Sequence, residues 1–145
     1  GVIRIATLEE LDSLLPWADV VALSLPETPE TIGLMDRRRL KLMKPGSYLL
    51  NVGRGSAVEQ EALAEALRSG HLAGAHLDVT TPEPLPAGHP LWQAENAFIT
   101  PHVAGDFHLP LTLDLIHGMA AHNIRALREG GSFQARVDTE TGYRA

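Results

Sequence analysis

Ser47-Tyr48-Leu49-Leu50-Asn51-Val52-Gly53-Arg54-Gly55-Ser56-Ala57-Val58 reads as a strand, a tight turn and the approach to a helix. Ser47 to Val52 is a short, mostly apolar run of the kind that makes a buried strand. Gly53 and Gly55 then flank an arginine, and a 3.6-residue pattern follows. Ser56 and Glu59 have capping-box spacing. Ala62, Leu63, Ala66 and Leu67 give one apolar stripe, so a helix is expected from about Val58 to Ser69. Gly70 stands where a left-handed C-terminal cap belongs.

The same rhythm extends in both directions. Upstream, Thr7 and Glu10 have capping-box spacing before Leu11, Leu14 and Leu15, a short helix expected to stop near Pro16. Asp19 to Leu25 is apolar on both faces and ends at Pro26, which suits a parallel strand covered on both sides. Asp36 to Met43 reads as a helix halted by Pro45-Gly46. Downstream, Ala73 to Val79 and Ala97 to Thr100 are further strands. Between them Pro82, Pro84, Pro86 and Pro90 make a loop too broken for regular structure. Pro110 opens a long helix to about Glu129 with Ile116, Met119, Ala120, Ile124 and Leu127 on its apolar face, and Gly130-Gly131 ends it. The tail to Ala145 reads as irregular, and no linker divides the chain. Strands alternating with helices define an α/β fold class, here the second half of a doubly wound, Rossmann-type sheet.

Composition narrows the functions. With 145 residues, 44% hydrophobic and 21% charged, the chain is long enough for one real core. The net charge of -6 argues against a nucleic-acid binder. The one dense basic run, Arg37, Arg38, Arg39, Lys41 and Lys44, reads as a solvated helix face. No segment approaches the ~20 apolar residues of a membrane span. The absence of cysteine excludes a disulfide framework and thiolate metal sites, and fits a cytoplasmic protein.

Gly53-Arg54-Gly55-Ser56-Ala57-Val58 invites comparison with a dinucleotide fingerprint. Val58 occupies the place of the third glycine, so a plain turn competes evenly with a phosphate cradle. Arg54 lies past the carboxyl end of a parallel strand, where such sheets bind ligands. Its planar fork suits a carboxylate, and a surface salt bridge is an equal alternative. His102, in Thr100-Pro101-His102-Val103-Ala104-Gly105, follows the last strand directly and stands above the other six of the seven histidines for that reason. His71, His76, His89, His108, His117 and His122 have no helical metal spacing with a supporting carboxylate, which excludes a metal site. Glu83 reads first as a solvated loop carboxylate; as the partner of His102 it would instead favour the protonated ring. Asp78 either caps a loop or accepts from a cofactor amide. Trp92 packs, or walls a pocket.

Taken together, Ala18-Asp19-Val20-Val21 through Leu25-Pro26-Glu27-Thr28-Pro29-Glu30-Thr31, Asn51-Val52-Gly53-Arg54-Gly55, Gly74 to Val79, Glu83-Pro84-Leu85 and Thr100-Pro101-His102 resemble the D-isomer-specific 2-hydroxyacid dehydrogenases. Glu83-Pro84-Leu85-Pro86 with Pro90-Leu91-Trp92, and the ending Arg136-Val137-Asp138 with Gly142-Tyr143, resemble the glyoxylate/hydroxypyruvate reductase A group. The resemblance implies NAD(P)H-dependent reduction of a small 2-keto acid. Arg54 would bind the substrate carboxylate, His102 would be the general acid, and Glu83 would hold His102 protonated. Asp78 would bind the nicotinamide amide. Leu25, Pro26, Thr31, Val52, Gly53 and Gly105, with Arg54 and His102, would line the cofactor, NADP or NAD, with NADPH favoured by group resemblance.

The resemblance also implies that residues 1–145 are a partial NAD(P)-binding domain with a C-terminal helix and tail. The family's phosphate loop, its first strands and nearly all of its substrate domain would precede Gly1. The first strand would then present an open edge and apolar surface, expected to meet the missing half or a second copy as a homodimer. Asp106-Phe107-His108 departs from the small or hydroxyl residues usual after the histidine, which bears on substrate preference. A silent truncated fragment and a nucleotide-sensing module are the competing readings. Glu83 disfavours the formate dehydrogenase branch, and the stop after Tyr143 disfavours phosphoglycerate dehydrogenases with a regulatory domain.

Overall fold

The computed structural model describes residues 2, 4–105 and 110–139. Gly142-Tyr143 and Asp106-Phe107-His108 therefore lie outside the described residues. The chain forms two compact units, Gly1–His102 and Val103–Ala145.

The first unit is built on a parallel sheet of β1 (Val20–Leu23), β2 (Tyr48–Asn51), β3 (Gly74–Leu77) and β4 (Ala97–Ile99), ordered β1-β2-β3-β4. A short helix, α1 (Leu11–Leu14), precedes the sheet; α2 (Arg37–Leu42) and α3 (Gln60–Arg68) make the first two crossovers. Leu23, Asn51, Leu77 and Ile99 stand abreast, so the carboxyl ends of all the strands form one rim. The strands are shorter than their apolar runs, because Leu25 and Val52 already belong to the loops that leave the sheet.

Two crossovers running the same way along a parallel sheet take the same hand and lay their helices on the same face. Leu23, Leu49, Ala75 and Leu77 accordingly point into a core shared with Leu40, Leu63 and Leu67, and Leu49 and Leu63 are fully buried. The other face is open among the described residues: Val20 is 53% exposed, Tyr48 50% and Phe98 69%. Cover on both faces was the expectation from the apolar runs, and the structure supplies it on one.

Local signals account for the helix ends. Asp36 caps α2, its carboxylate accepting the Arg39 N–H at 2.7 Å. The Thr7 N–H reaches the Glu10 carboxylate at 3.3 Å. The helical path then continues through Pro16 as a 3₁₀ turn, Leu15–Trp17, because proline is tolerated in a first turn where its missing N–H has no partner to lose. Helix α3 starts later than its stripe suggests. Gly55–Ala57 is a separate 3₁₀ turn, Glu59 takes the cap position, and the Ser56 hydroxyl donates to Glu27 instead of capping. Gly70 ends α3 with φ +73°, as its cap reading requires. The proline-rich loop is less irregular than expected: Pro90–Gln93 forms a 3₁₀ turn whose Leu91 N–H donates to His89 Nδ1 at 3.2 Å.

Four of the five side chains of the basic run are ion-paired within the fold. Arg37 pairs with Glu65, Arg38 and Arg39 with Asp12, and Lys44 with Asp19.

In the second unit, α4 (Pro110–Glu129) is followed by a tail that returns along it. Gly130 adopts φ +75°, the His122 ring donates to the Ser132 carbonyl at 3.0 Å, and the Asn123 amide bonds the Gln134 backbone in both directions. The stripe expected to be its buried face is exposed, with Ile124 at 61% and Leu127 at 73%; Ala126 is buried in its place, against Gly131. No helix among the described residues is long and apolar enough to cross a membrane.

Candidate active site

Every residue singled out in the first unit lies on or just beyond the rim formed by the strand ends. The turn after β2 is shaped by Asn51, which is fully buried. Its amide Nδ2 donates to the Arg54 carbonyl at 2.9 Å, and its Oδ1 accepts the Gly53 N–H at 3.1 Å. Both glycines of this turn face main chain. A Cβ on Gly53 would sit 2.6 Å from the Leu25 nitrogen, and one on Gly55 would sit 2.1 Å from the Thr80 carbonyl carbon. They are glycines because loops after three strands are pressed together there. Both glycines thus serve close packing of loops, and the Gly53 N–H is already taken by Asn51, which favours the plain-turn reading over a phosphate cradle.

Arg54 stands between the glycines on the exposed side of the turn, with Nη1 donating to the Gly53 carbonyl at 2.8 Å. Among the described residues it forms no ion pair, so the salt-bridge alternative has no partner there. Its charge is near enough to Glu83 to help hold that carboxyl down.

Glu83 and His102 meet. Glu83 Oε2 accepts from His102 Nδ1 at 3.0 Å, and Glu83 Oε1 accepts the Thr80 N–H at 2.9 Å. A carboxylate held from both sides is fixed in rotamer. The hydrogen bond to His102 is the main influence holding the Glu83 carboxyl below its ordinary range; burial opposes it, and the Thr80 N–H and the charges of His102 and Arg54 add to it. His102 has φ +57°, an uncommon conformation for a residue with a side chain, and its N–H bonds the Thr100 carbonyl at 3.0 Å. Strain of this kind persists where surroundings hold it and concentrates at functional positions. Because Nδ1 faces Glu83, Nε2 is the ring nitrogen left to face a ligand.

An open cleft of about 440 Å³ adjoins this pair, lined among others by Asp78, Thr80, Leu85, Trp92 and Pro101. Asp78 is 2% exposed and accepts the Thr100 hydroxyl at 2.5 Å. Trp92 does wall this pocket, its Nε1 donating to the Pro86 carbonyl at 3.0 Å. Leu25 and Pro26 are partly buried beside the glycine turn, and Val52 is half exposed. The Thr31 hydroxyl is engaged within its own loop, donating to the Pro26 carbonyl at 2.7 Å and accepting the Thr28 N–H at 2.8 Å. Gly105 belongs to the second unit. Among the described residues no group of three or more His, Asp or Glu side chains could hold a metal ion.

Two residues that bond directly to the site residues were not singled out from the sequence: Asn51 and Thr80. Asn51 was visible as the one amide in an apolar strand. Thr80 carried no signal, since its contribution is a backbone N–H.

The model of the D-isomer-specific 2-hydroxyacid dehydrogenase NAD-binding domain matches residues 3–104. The chain belongs to that family. A glyoxylate reductase of Thermofilum pendens is 40% identical over 134 residues, covering 90% of this chain and 38% of that protein. Among solved structures, a D-isomer-specific 2-hydroxyacid dehydrogenase of Xanthobacter autotrophicus in complex with NADPH and MES superposes with a TM-score of 0.85 at 43% identity, over 94% of this chain and 55% of that one. An NADPH-dependent glyoxylate/hydroxypyruvate reductase of Sinorhizobium meliloti, in complex with NADP and sulfate, gives a TM-score of 0.83 at 29% identity, over 93% and 43%. The chain thus spans about half the length of these relatives or less.

Proposed function

We propose that this 2-hydroxyacid dehydrogenase chain supplies the acid and carboxylate-binding groups of a site that reduces small 2-keto acids with NADPH or NADH. The observation that carries the reading is the Glu83–His102 hydrogen bond, 3.0 Å long, on the same sheet rim as an arginine that has no ion-pair partner among the described residues. Glyoxylate and hydroxypyruvate are the substrate class, by likeness to the reductases named above.

The residues present fit the nicotinamide end of such a cofactor. Leu85, Ile99, Pro101 and Trp92 offer apolar walls to a flat ring, and the Asp78 carboxylate offers an acceptor for a carboxamide N–H. The pyrophosphate is not assigned to this chain's glycine turn, which is closed by Leu25 and Thr80. When bound, the reduced nicotinamide supplies a hydride to the keto carbon.

This chain's residues do the rest. Arg54 forms two parallel charge-assisted hydrogen bonds to the substrate carboxylate and draws electron density from the adjoining carbonyl. His102 gives the proton on Nε2 to the keto oxygen as that oxygen gains charge, leaving a 2-hydroxy acid and a neutral ring. Glu83 orients the ring through Nδ1 and stabilises its protonated form. A matched acid of this kind contributes ~10²–10⁴-fold.

Steady-state reduction of glyoxylate with NADPH tests the assignment. Arg54→Ala is expected to lower kcat/KM by about 10² or more, the scale of losing a group that stabilises developing charge. His102→Gln is expected to remove the rate at neutral pH. Normal kinetics in either variant would take that residue out of the mechanism.

A further inference from the structure

The first residue of α3 is an amide in an apolar position. Gln60 shares its helix face with Leu63 and Leu67 and is only 6% exposed, yet a leucine would satisfy packing there. Both of its polar atoms are engaged with one residue: Oε1 accepts the Thr81 N–H at 3.1 Å, and Nε2 donates to the Thr81 carbonyl. A planar amide bound to both backbone groups of a residue fixes that peptide in position and orientation. The adjacent Thr80 N–H is the donor that holds Glu83 Oε1, and the Thr80 hydroxyl closes the turn onto the Pro82 carbonyl at 3.0 Å. The opposite carboxylate oxygen holds His102. The arginine turn has its own, separate clamp in Asn51.

We infer that Gln60 is a positioning residue for the acid pair: it anchors the Thr80–Glu83 loop to α3, so that Glu83 meets His102, while the Arg54 turn, which touches this loop at Gly55, has a clamp of its own in Asn51. The inference rests on the reading of Glu83 and His102 as the acid pair. Such a residue acts chiefly on proton delivery, because the acid pair hangs on the loop it anchors and the arginine keeps its Asn51 clamp.

The test compares Gln60→Leu, which keeps the volume and loses both bonds, with Gln60→Glu, which keeps the acceptor for the Thr81 N–H. Gln60→Leu is expected to lower kcat for glyoxylate roughly 10-fold or more while KM stays within about twofold, since small misplacement of a catalytic group is costly and the Arg54 turn keeps its clamp in Asn51. The Glu83 carboxyl, followed by ¹³C NMR against pH without substrate or cofactor, is expected to titrate higher in Gln60→Leu and at an intermediate pH in Gln60→Glu. If Gln60→Leu does not fold, Gln60→Glu decides by the same two readouts. Unchanged Glu83 titration in a folded variant overturns the inference, as does an equal loss expressed in KM. Glu83→Gln separates the two readings. Full turnover in Glu83→Gln removes the acid pair itself, whereas a slow Glu83→Gln beside a fully active Gln60→Leu removes only the role of Gln60.

Discussion

Glu83 shows how a residue's chemistry depends on contacts no spacing reveals. Its carboxyl is held low by the hydrogen bond with His102 first, then by the Thr80 N–H and nearby positive charge, against the effect of burial. A carboxyl whose pKa is lower in the folded state adds stability above its unfolded pKa and loses it as pH falls through the folded value. The stability gap between the native protein and Glu83→Gln is therefore expected to be present at neutral pH and to close in acid, as measured by urea denaturation across a pH series. A gap that widened in acid would mean that the carboxylate is not stabilised by these partners. From the residues alone, the solvated loop carboxylate was the favoured reading of Glu83. Periodicity does not reach across a proline-broken loop, and the bond to His102 spans 19 positions. Arg54 and His102 were easier to find because each directly follows a strand, which fixes its place on the rim whatever its side chain does.

At the scale of elements, the strand–turn–helix reading around Asn51 to Gly55 held in outline and missed in its joints. Short apolar runs located every strand among the described residues, since strands of a parallel sheet meant for cover on both faces are apolar at successive positions. The start of α3 was placed too early because Ser56 and Glu59 imitate a cap, while the chain uses that stretch for a separate 3₁₀ turn that lets Gly55 reach Thr80. That close approach makes Gly55→Ala a sharp probe. The added methyl meets main chain that has little freedom to yield, so a loss of about 1–3 kcal/mol or more is expected by denaturant titration, together with loss of turnover. A variant as stable as the native protein would show that the two loops are not packed as described. Leu63, fully buried between α3 and the sheet, tests the core separately from the site. Leu63→Ala is expected to cost about 2–5 kcal/mol while the surviving folded protein keeps its KM.

Over the whole molecule, the α/β class and the half-sheet were legible because topology follows from the order of strands and helices. What covers the second sheet face and the apolar stripe of α4 was not, because an apolar residue signals burial without naming its partner. Val20, Tyr48 and Phe98 remain open on the sheet, and Ile124 and Leu127 on α4. What the first unit does settle is the position of its loops. All strand ends are in register, and the turns after β2, β3 and β4 carry the arginine, the glutamate and the histidine. A crystal structure of the protein with NADPH and oxamate, an unreactive analogue of a 2-keto acid, tests that convergence most directly. The account predicts the oxamate carboxylate on the Arg54 guanidinium and its carbonyl oxygen about 2.6–3.2 Å from His102 Nε2. Oxamate seated away from His102, with Arg54 turned to other partners, would contradict it.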